Sequence, residues 1–305
     1  MTADPMQGAL PSPGLPARSN LAGIGLMLVS MSCIAIVDGV AKGLGLRLPP
    51  GMIVWAYFIA ILVNLLIVAA VLRWPVRRIL KANRPGLQVG RALCLFSSLS
   101  CLFWSLPHLP LADATAINFM SPLFVAALAW PVLGEKVGPH RSAAVLVGLV
   151  GALIVIRPGS GLFQWVALLP LIGAMFFAVY QLATRIASRH DGPLTTLFYT
   201  VLTGSVASSA YLPWLWTMPS LREAGILFVS GGLGVLAHIT LINAFRLSEA
   251  SILAPFNYVR LAWAIGIGVI FFQTWPDAWT LTGGGLIVAS GLFVVWRETR
   301  SRAAG

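Results

Sequence analysis

Apolar runs long enough to cross a lipid bilayer recur along almost the whole chain, and they constrain it more than any other feature. A hydrocarbon core about 30 Å thick takes roughly 20 helical residues. Runs of that order fall at 21–43, 51–72, 87–106, 111–133, 140–157, 161–184, 194–216, 224–246, 248–272 and 278–296. Backbone in lipid must satisfy its own hydrogen bonds, so such runs fold as helices. The pattern predicts an all-α polytopic membrane protein with ten transmembrane helices. Composition agrees, with 58% hydrophobic and 10% charged residues over 305 positions, against about 25% charged in a soluble domain. Short connections, such as Leu133 to His140, make neighbouring spans antiparallel hairpins and leave no room for a soluble domain.

The net charge of +11 does not point to nucleic acid, because the basic residues sit at the ends of apolar runs and not along one helix face. That placement sets topology instead. With the N-terminus inside, fifteen of the 20 Lys and Arg residues fall on the cytoplasmic side. They include Arg73, Arg77, Arg78, Lys81, Arg84 and Arg91. Lys42, Arg47, Arg157 and Arg222 fall outside, and Arg260 alone is mid-span. Both termini are therefore expected in the cytoplasm, with the chain in a bacterial-type inner membrane. Residues 1–20, rich in Pro, Gly, Ala and Ser and lacking a basic start, read as a disordered tail and not a signal peptide. Residues 298–305 form a second short tail. Cys33, Cys94 and Cys101 all lie in apolar spans and read as small packing residues. No metal-ligand spacing is present, and no cofactor is expected.

The chain also repeats. With an offset of 139 rising to 140, Ser105–Arg157 sets against Ala244–Arg297, so that Leu123 meets Ala262 and Gly151 meets Gly291. At an offset of 143, Ala35 meets Ala178, Asp38 meets Gln181, and Lys42 meets Arg185. The expected halves are 21–158 and 159–297. Five spans per half is an odd number, so the halves insert in opposite orientation as two inverted five-helix repeats. That architecture belongs to transporters with a midplane site between the repeats.

Polar groups within the spans are the candidates for such a site. An arginine at mid-bilayer costs about 2.5–3.5 kcal/mol on insertion scales. Arg260 is therefore either a structural residue tied to an acceptor or part of a cavity wall, where its planar fork suits a carboxylate. Asp38 either pairs with Lys42, one turn along, or partners Arg260 or a substrate ammonium. His238 is hydrogen-bonded structure or a proton-coupling group; Asp38 and His238 are the two coupling candidates. Asn118, Gln181, Asn243 and Asn257 either line a cavity or join helices. Trp104, Phe119, Tyr180, Tyr258 and Trp263, with Phe176, either pack or form apolar walls for a ligand. Pro122, Pro170 and Pro255 interrupt helical bonding where bending helps alternating access. Trp214, Trp216, Trp275, Trp279 and Trp296 lie near span ends as interfacial residues.

The segments Leu109–Asn118, Ser121–Trp130 and Leu133-Gly134-Glu135-Lys136, followed by Gly148-Leu-Val-Gly151 and Ile156-Arg157-Pro158-Gly159, resemble the first repeat of EamA-type transporters of the drug/metabolite transporter superfamily. Ala244-Phe245-Arg246, Ala254–Tyr258, Pro276 and Gly291 resemble the second. The resemblance spans about residues 20–298. It implies ten helices in two inverted repeats, with spans 1, 3, 4, 6, 8 and 9 lining a cavity and spans 5 and 10 packing outside or between protomers. It implies transport of amino acids and derivatives, vitamins such as riboflavin, S-adenosylmethionine, metallophores, nucleotide-sugars or drugs. The second repeat departs from the family pattern: Gln273-Thr274-Trp275-Pro276 stands where a Gly-Glu is common, so Glu135 reads as a loop residue and Thr274 carries no coupling role.

The expectation is therefore a secondary-active or facilitated transporter of a small organic metabolite, amino acid-like and exported, with Arg260 holding an anionic group. Import of a vitamin or nucleoside-like compound is the rival within transport. A membrane scaffold without flux is the rival outside it. The partners expected are a small-molecule substrate and the lipid bilayer, with a second copy of the chain as a candidate. His108 and Asp113 match a His-x4-Asp acyltransferase spacing. They lie at a short outer connection with a proline between them, so no enzyme is expected.

Overall fold

The computed structural model describes residues 17–71, 79–133, 139–157, 165–187, 190–248 and 253–303. Helices account for nearly all of them: α1 (Ala17–Leu44), α2 (Pro50–Val71), α3 (Pro85–Ser105), α4 (Leu111–Asn118), α5 (Ser121–Leu133), α6 (Pro139–Ile156), α7 (Leu168–Ala187), α8 (Pro193–Ser209), α9 (Leu221–Leu247), α10 (Val259–Phe272) and α11 (Ala278–Ala303). Among the described residues, five segments are long and apolar enough to cross a membrane: Leu21–Leu44, Pro50–Val71, Pro85–Ser105, Trp165–Thr184 and Leu221–Leu241. Shorter apolar helices run over Leu111–Val125, Ala143–Ile156, Phe256–Phe272 and Ala278–Val294. The chain is a polytopic membrane protein. The expected motif Gly134-Glu135-Lys136 and residues Arg73, Arg77 and Arg78 lie outside the described residues, as do positions 1–16 of the tail.

Local chemistry sets the helix ends. Pro50, Pro85, Pro139 and Pro193 open their helices, where the missing N–H costs nothing and φ is already helical. Ser220 and Glu223 close a reciprocal capping box at the start of α9, satisfying two orphan donors. Asp277 caps α11 by accepting the Thr280 N–H at 2.9 Å. At the other end of α10, Gln273 turns left-handed at φ 53, and Thr274 N–H reaches back to the Gly268 carbonyl at 3.0 Å.

Three of the expected spans are broken. The fourth divides into α4 and α5 at Phe119–Met120. Pro122 has no N–H for the Asn118 carbonyl four residues earlier, so the α-helical ladder stops there. The ninth begins as a 3-10 turn over Ala254–Tyr258 before α10. The seventh, expected over 194–216, is helical only over Pro193–Ser209 and again over Leu212–Leu215. Pro213 similarly denies a partner to the Ser209 carbonyl.

Packing follows a matched pattern. α1 packs on α9 and α7 on α3; α2 packs on α9 and α8 on α3; α1 meets α10 and α7 meets α5. α6 lies along α11, and α2 along α8. Small residues permit the closest crossings. A Cβ on Gly151 would come within 2.7 Å of the Gly283 carbonyl, and one on Gly231 within 2.4 Å of Ala60. The main apolar core gathers Met52, Phe58 and Ile61 of α2 with Leu102 and Phe103 of α3 and residues of α4, α8 and α9. Faces toward lipid stay apolar, as with Val29 and Ile36 of α1 and Ile172, Phe176 and Val179 of α7.

Candidate transport site

Asp38 lies on the side of α1 away from Val29 and Ile36, and is buried. Opposite it, Arg260 stands in the first turn of α10, just after the 3-10 turn. Arg260 Nε and Nη2 each lie 2.8 Å from Asp38 Oδ2. The side chains are 14% and 5% exposed, so this is a buried ion pair. Both donors converge on one carboxylate oxygen. Among the described residues, no hydrogen bond reaches Asp38 Oδ1 or Arg260 Nη1. The buried Tyr57 ring of α2 stands within electrostatic reach of both charges.

The alternative Asp38–Lys42 pair does not form. Lys42 Nζ donates instead to the carbonyls of Leu106 at 2.9 Å and Leu109 at 2.6 Å. It also sits 5.3 Å from the centre of the Phe272 ring. A cation there answers the orphan carbonyls at the C-terminal end of α3. Nearby, Thr280 Oγ1 donates to Asp113 at 2.7 Å, and Arg157 pairs with Asp277. These contacts tie α1, α3, α4, α6 and α11 together at the face that carries Leu44.

Gln181 gives the best sign of an internal space. It is exposed, yet helical spacing puts it on the side of α7 opposite Ile172, Phe176 and Val179, on the arc that carries the buried Ala174 and Ala178. A polar residue exposed on the face away from lipid looks into the protein. Where the fourth and ninth spans are interrupted, Phe119 and Tyr258 meet with ring centroids 5.1 Å apart. The Tyr258 hydroxyl lies over Gly291, where a Cβ would come within 2.1 Å of it. Asn257 lies in the same 3-10 turn. Asn118 donates over a long 3.4 Å to the Pro170 carbonyl.

Sequence does not single out a further buried cation, Arg91. Arg91 is 1% exposed. Its Nε donates to Gln88 Oε1 at 2.7 Å, Nη1 to Thr184 at 3.1 Å, and Nη2 to Thr200 at 2.6 Å and to the Thr196 carbonyl. Its guanidinium lies 5.3 Å from the centre of the Tyr180 ring, which stacks on Phe177. His238 of α9 lies close enough for its charge to couple with that of Arg91. Gln88 Nε2 passes the connection to Asp191 at 2.9 Å, and Asn83 N–H donates to the same carboxylate at 2.7 Å. Burial alone would raise the Asp191 carboxyl; the bonds from Asn83 and Gln88 outweigh it and hold the group below the usual carboxylate range. Arg91 lies at a span end, where a basic residue reads as topology. Its spacing of three from Gln88, inside an apolar run, is the signal that distinguishes it.

Not every sequence candidate joins these clusters. Trp104 packs edge-on to Tyr211 and against Gly51, near the Leu44 face. Trp263 is 44% exposed, on the flank of α10 that also carries exposed Ile270. Asn243 bonds back to the Ile239 carbonyl of its own helix at 2.9 Å.

Membrane-crossing helices that turn a charged pair and an amide away from lipid, with two broken helices meeting through Phe119 and Tyr258, are built as a transporter. The chain belongs to the EamA-like transporter family, whose profile matches residues 21–157 and again 164–296. It is 27% identical over 284 residues to the S-adenosylmethionine uptake transporter of Rickettsia conorii, covering 93% of this chain and 96% of the relative. It is 33% identical over 197 residues to the pseudopaline exporter CntI of Pseudomonas aeruginosa, covering 63% and 68%. It is 28% identical over 284 residues to a riboflavin transporter of Brucella anthropi, covering 90% and 98%. A solved crystal structure shares the fold at a TM-score of 0.64 and 18% identity, covering 93% of this chain and 99% of that one.

Proposed function

We propose that the protein is a secondary-active or facilitated carrier of a small organic metabolite, working by alternating access. Its spans form ten transmembrane helices in two inverted repeats, 21–158 and 159–297, with both termini in the cytoplasm of a bacterial-type inner membrane. The matched packing of α1 on α9 and α7 on α3 supports that reading. So does the meeting of Phe119 with Tyr258, which lie 139 positions apart, the offset at which the sequence repeats. The observation that carries the site is the buried Asp38–Arg260 pair joining α1 to α10. Arg260 anchors an anionic group of the substrate, while Gln181, Tyr258, Asn257 and His238 orient the rest. The exposed apolar faces of α6 and α11 meet lipid or a second copy of the chain.

Export of an amino acid-like compound is the direction expected from sequence. Uptake is favoured by coverage, since the S-adenosylmethionine uptake relative aligns over 93% of the chain and the exporter over 63%. Counterflow in sealed proteoliposomes, with labelled S-adenosylmethionine, riboflavin and amino acids, tests the carrier. Wild type exchanges at least one of them, Arg260→Ala exchanges none, and Arg260→Lys falls between, because the charge survives without the fork. Exchange by Arg260→Ala at the wild-type rate removes the anchor. No exchange of any compound by wild type leaves the scaffold reading.

A further inference from the structure

We propose that the Asp38–Arg260 pair is exchanged for a zwitterion during transport: the substrate carboxylate takes Arg260 and the substrate ammonium takes Asp38. This rests on the carrier reading above and names the substrate class of that same site.

The geometry favours exchange over a fixed staple. Arg260 commits Nε and Nη2 to a single oxygen of Asp38. Nη1 and Oδ1 are left without hydrogen bonds among the described residues, and they offer a carboxylate and an ammonium their first contacts. Arg91 differs, with its fork spread over Gln88, Thr184, Thr196 and Thr200. Arg260 is also the less buried member of its pair, which places the approach on its side. Helix connectivity adds a reason. The pair bridges α1 and α10, which close on each other through Gly39 and Ile267. Opening the pair therefore loosens a contact between the two halves of the chain.

Charge conservation then supplies selectivity. A buried ion pair is costly to break because each partner becomes an uncompensated buried charge. A zwitterion replaces both partners at once and leaves neither charge alone. An amine satisfies Asp38 and strands Arg260; a carboxylic acid does the reverse. Such a site rejects singly charged congeners by the charge they leave behind, a repulsive form of specificity.

The test uses matched sets on the purified full-length protein. S-adenosylmethionine is paired with its decarboxylated form. Leucine, methionine and phenylalanine are each set beside the decarboxylated amine and the deaminated acid. Thermal shift in detergent reads binding. At least one compound carrying both the ammonium and the carboxylate is expected to raise the melting temperature, with its congeners that lack either group binding about 100-fold more weakly or worse. The isosteric double variant Asp38→Asn with Arg260→Gln, which strands no charge, is expected to fold and to lose that shift. The proposal is overturned if an amine or an acid binds as well as its zwitterion, if no zwitterion of the panel binds, or if the double variant keeps the shift. Counterflow of a compound that is not zwitterionic would retain the carrier and remove the exchange, so the two failures are separable.

Discussion

Two buried arginines hold this molecule together in different ways. Arg260 concentrates its interaction on one carboxylate, Asp38, across the contact of α1 with α10. Arg91 distributes its donors over neutral acceptors of α3, α7 and α8, and reaches a carboxylate only through Gln88 and Asp191. A single charged contact is strong, but a ligand carrying both charges can replace it in one step. A spread of neutral contacts has no such substitute, because each must be broken separately. The first arrangement suits a site that opens and closes, and the second suits a joint that keeps α3, α7 and α8 in register.

The largest expected effect falls on the concentrated pair. Asp38→Asn strands Arg260 and is expected to lower stability by about 3–5 kcal/mol, read by chemical denaturation in detergent. Adding Arg260→Gln should recover most of that loss; no recovery would mean that Asp38 holds the fold through contacts other than Arg260. Arg91→Met should cost less, about 1–3 kcal/mol. Thr184 and Thr200 keep their own bonds to Tyr180 and Thr196, so the threonines are not orphaned. A cost for Arg91→Met above that of Asp38→Asn would reverse the comparison. Thr200→Val removes one acceptor of several and should cost about 1 kcal/mol.

The smallest effect concerns acid. Asp191 has a folded pKa below its unfolded value of about 3.9. Its stabilisation is therefore complete above the unfolded value and lost as pH falls through the folded one. Melting temperature followed from pH 7 down to pH 3 should drop more steeply in wild type than in Asp191→Asn, with the divergence below about pH 4. Parallel curves would detach Asp191 from the Gln88–Arg91 joint.

Sequence alone made the helical membrane fold legible, since apolar length and the cost of unpaired backbone in lipid leave few alternatives. The breaks were partly legible. Pro122 and Pro255 mark the interruptions of the fourth and ninth spans, but the effect of Pro213 in the seventh was missed, because hydropathy there stays high through the bend. Asp38 was legible as a candidate with two partners, Lys42 and Arg260. The choice turned on the carbonyls of Leu106 and Leu109, which claim Lys42 and which a sequence does not place in space. Arg91 was hidden for a similar reason: a basic residue at a span end looks like a topology signal until tertiary packing buries it. Trp104 and Trp263 are candidate walls by residue type, yet aromatic rings serve packing and lipid contact equally well.

Both the carrier reading and the exchange require that a space faced by Gln181 opens to each side of the membrane in turn. Gln181→Cys, in a background with Cys33, Cys94 and Cys101 replaced by alanine, tests this directly with a membrane-impermeant maleimide in right-side-out and inside-out vesicles. Labelling from both sides is expected, with protection by a transported zwitterion. A cysteine at position 181 that reacts from neither side would contradict it, leaving a packed interior with no passage.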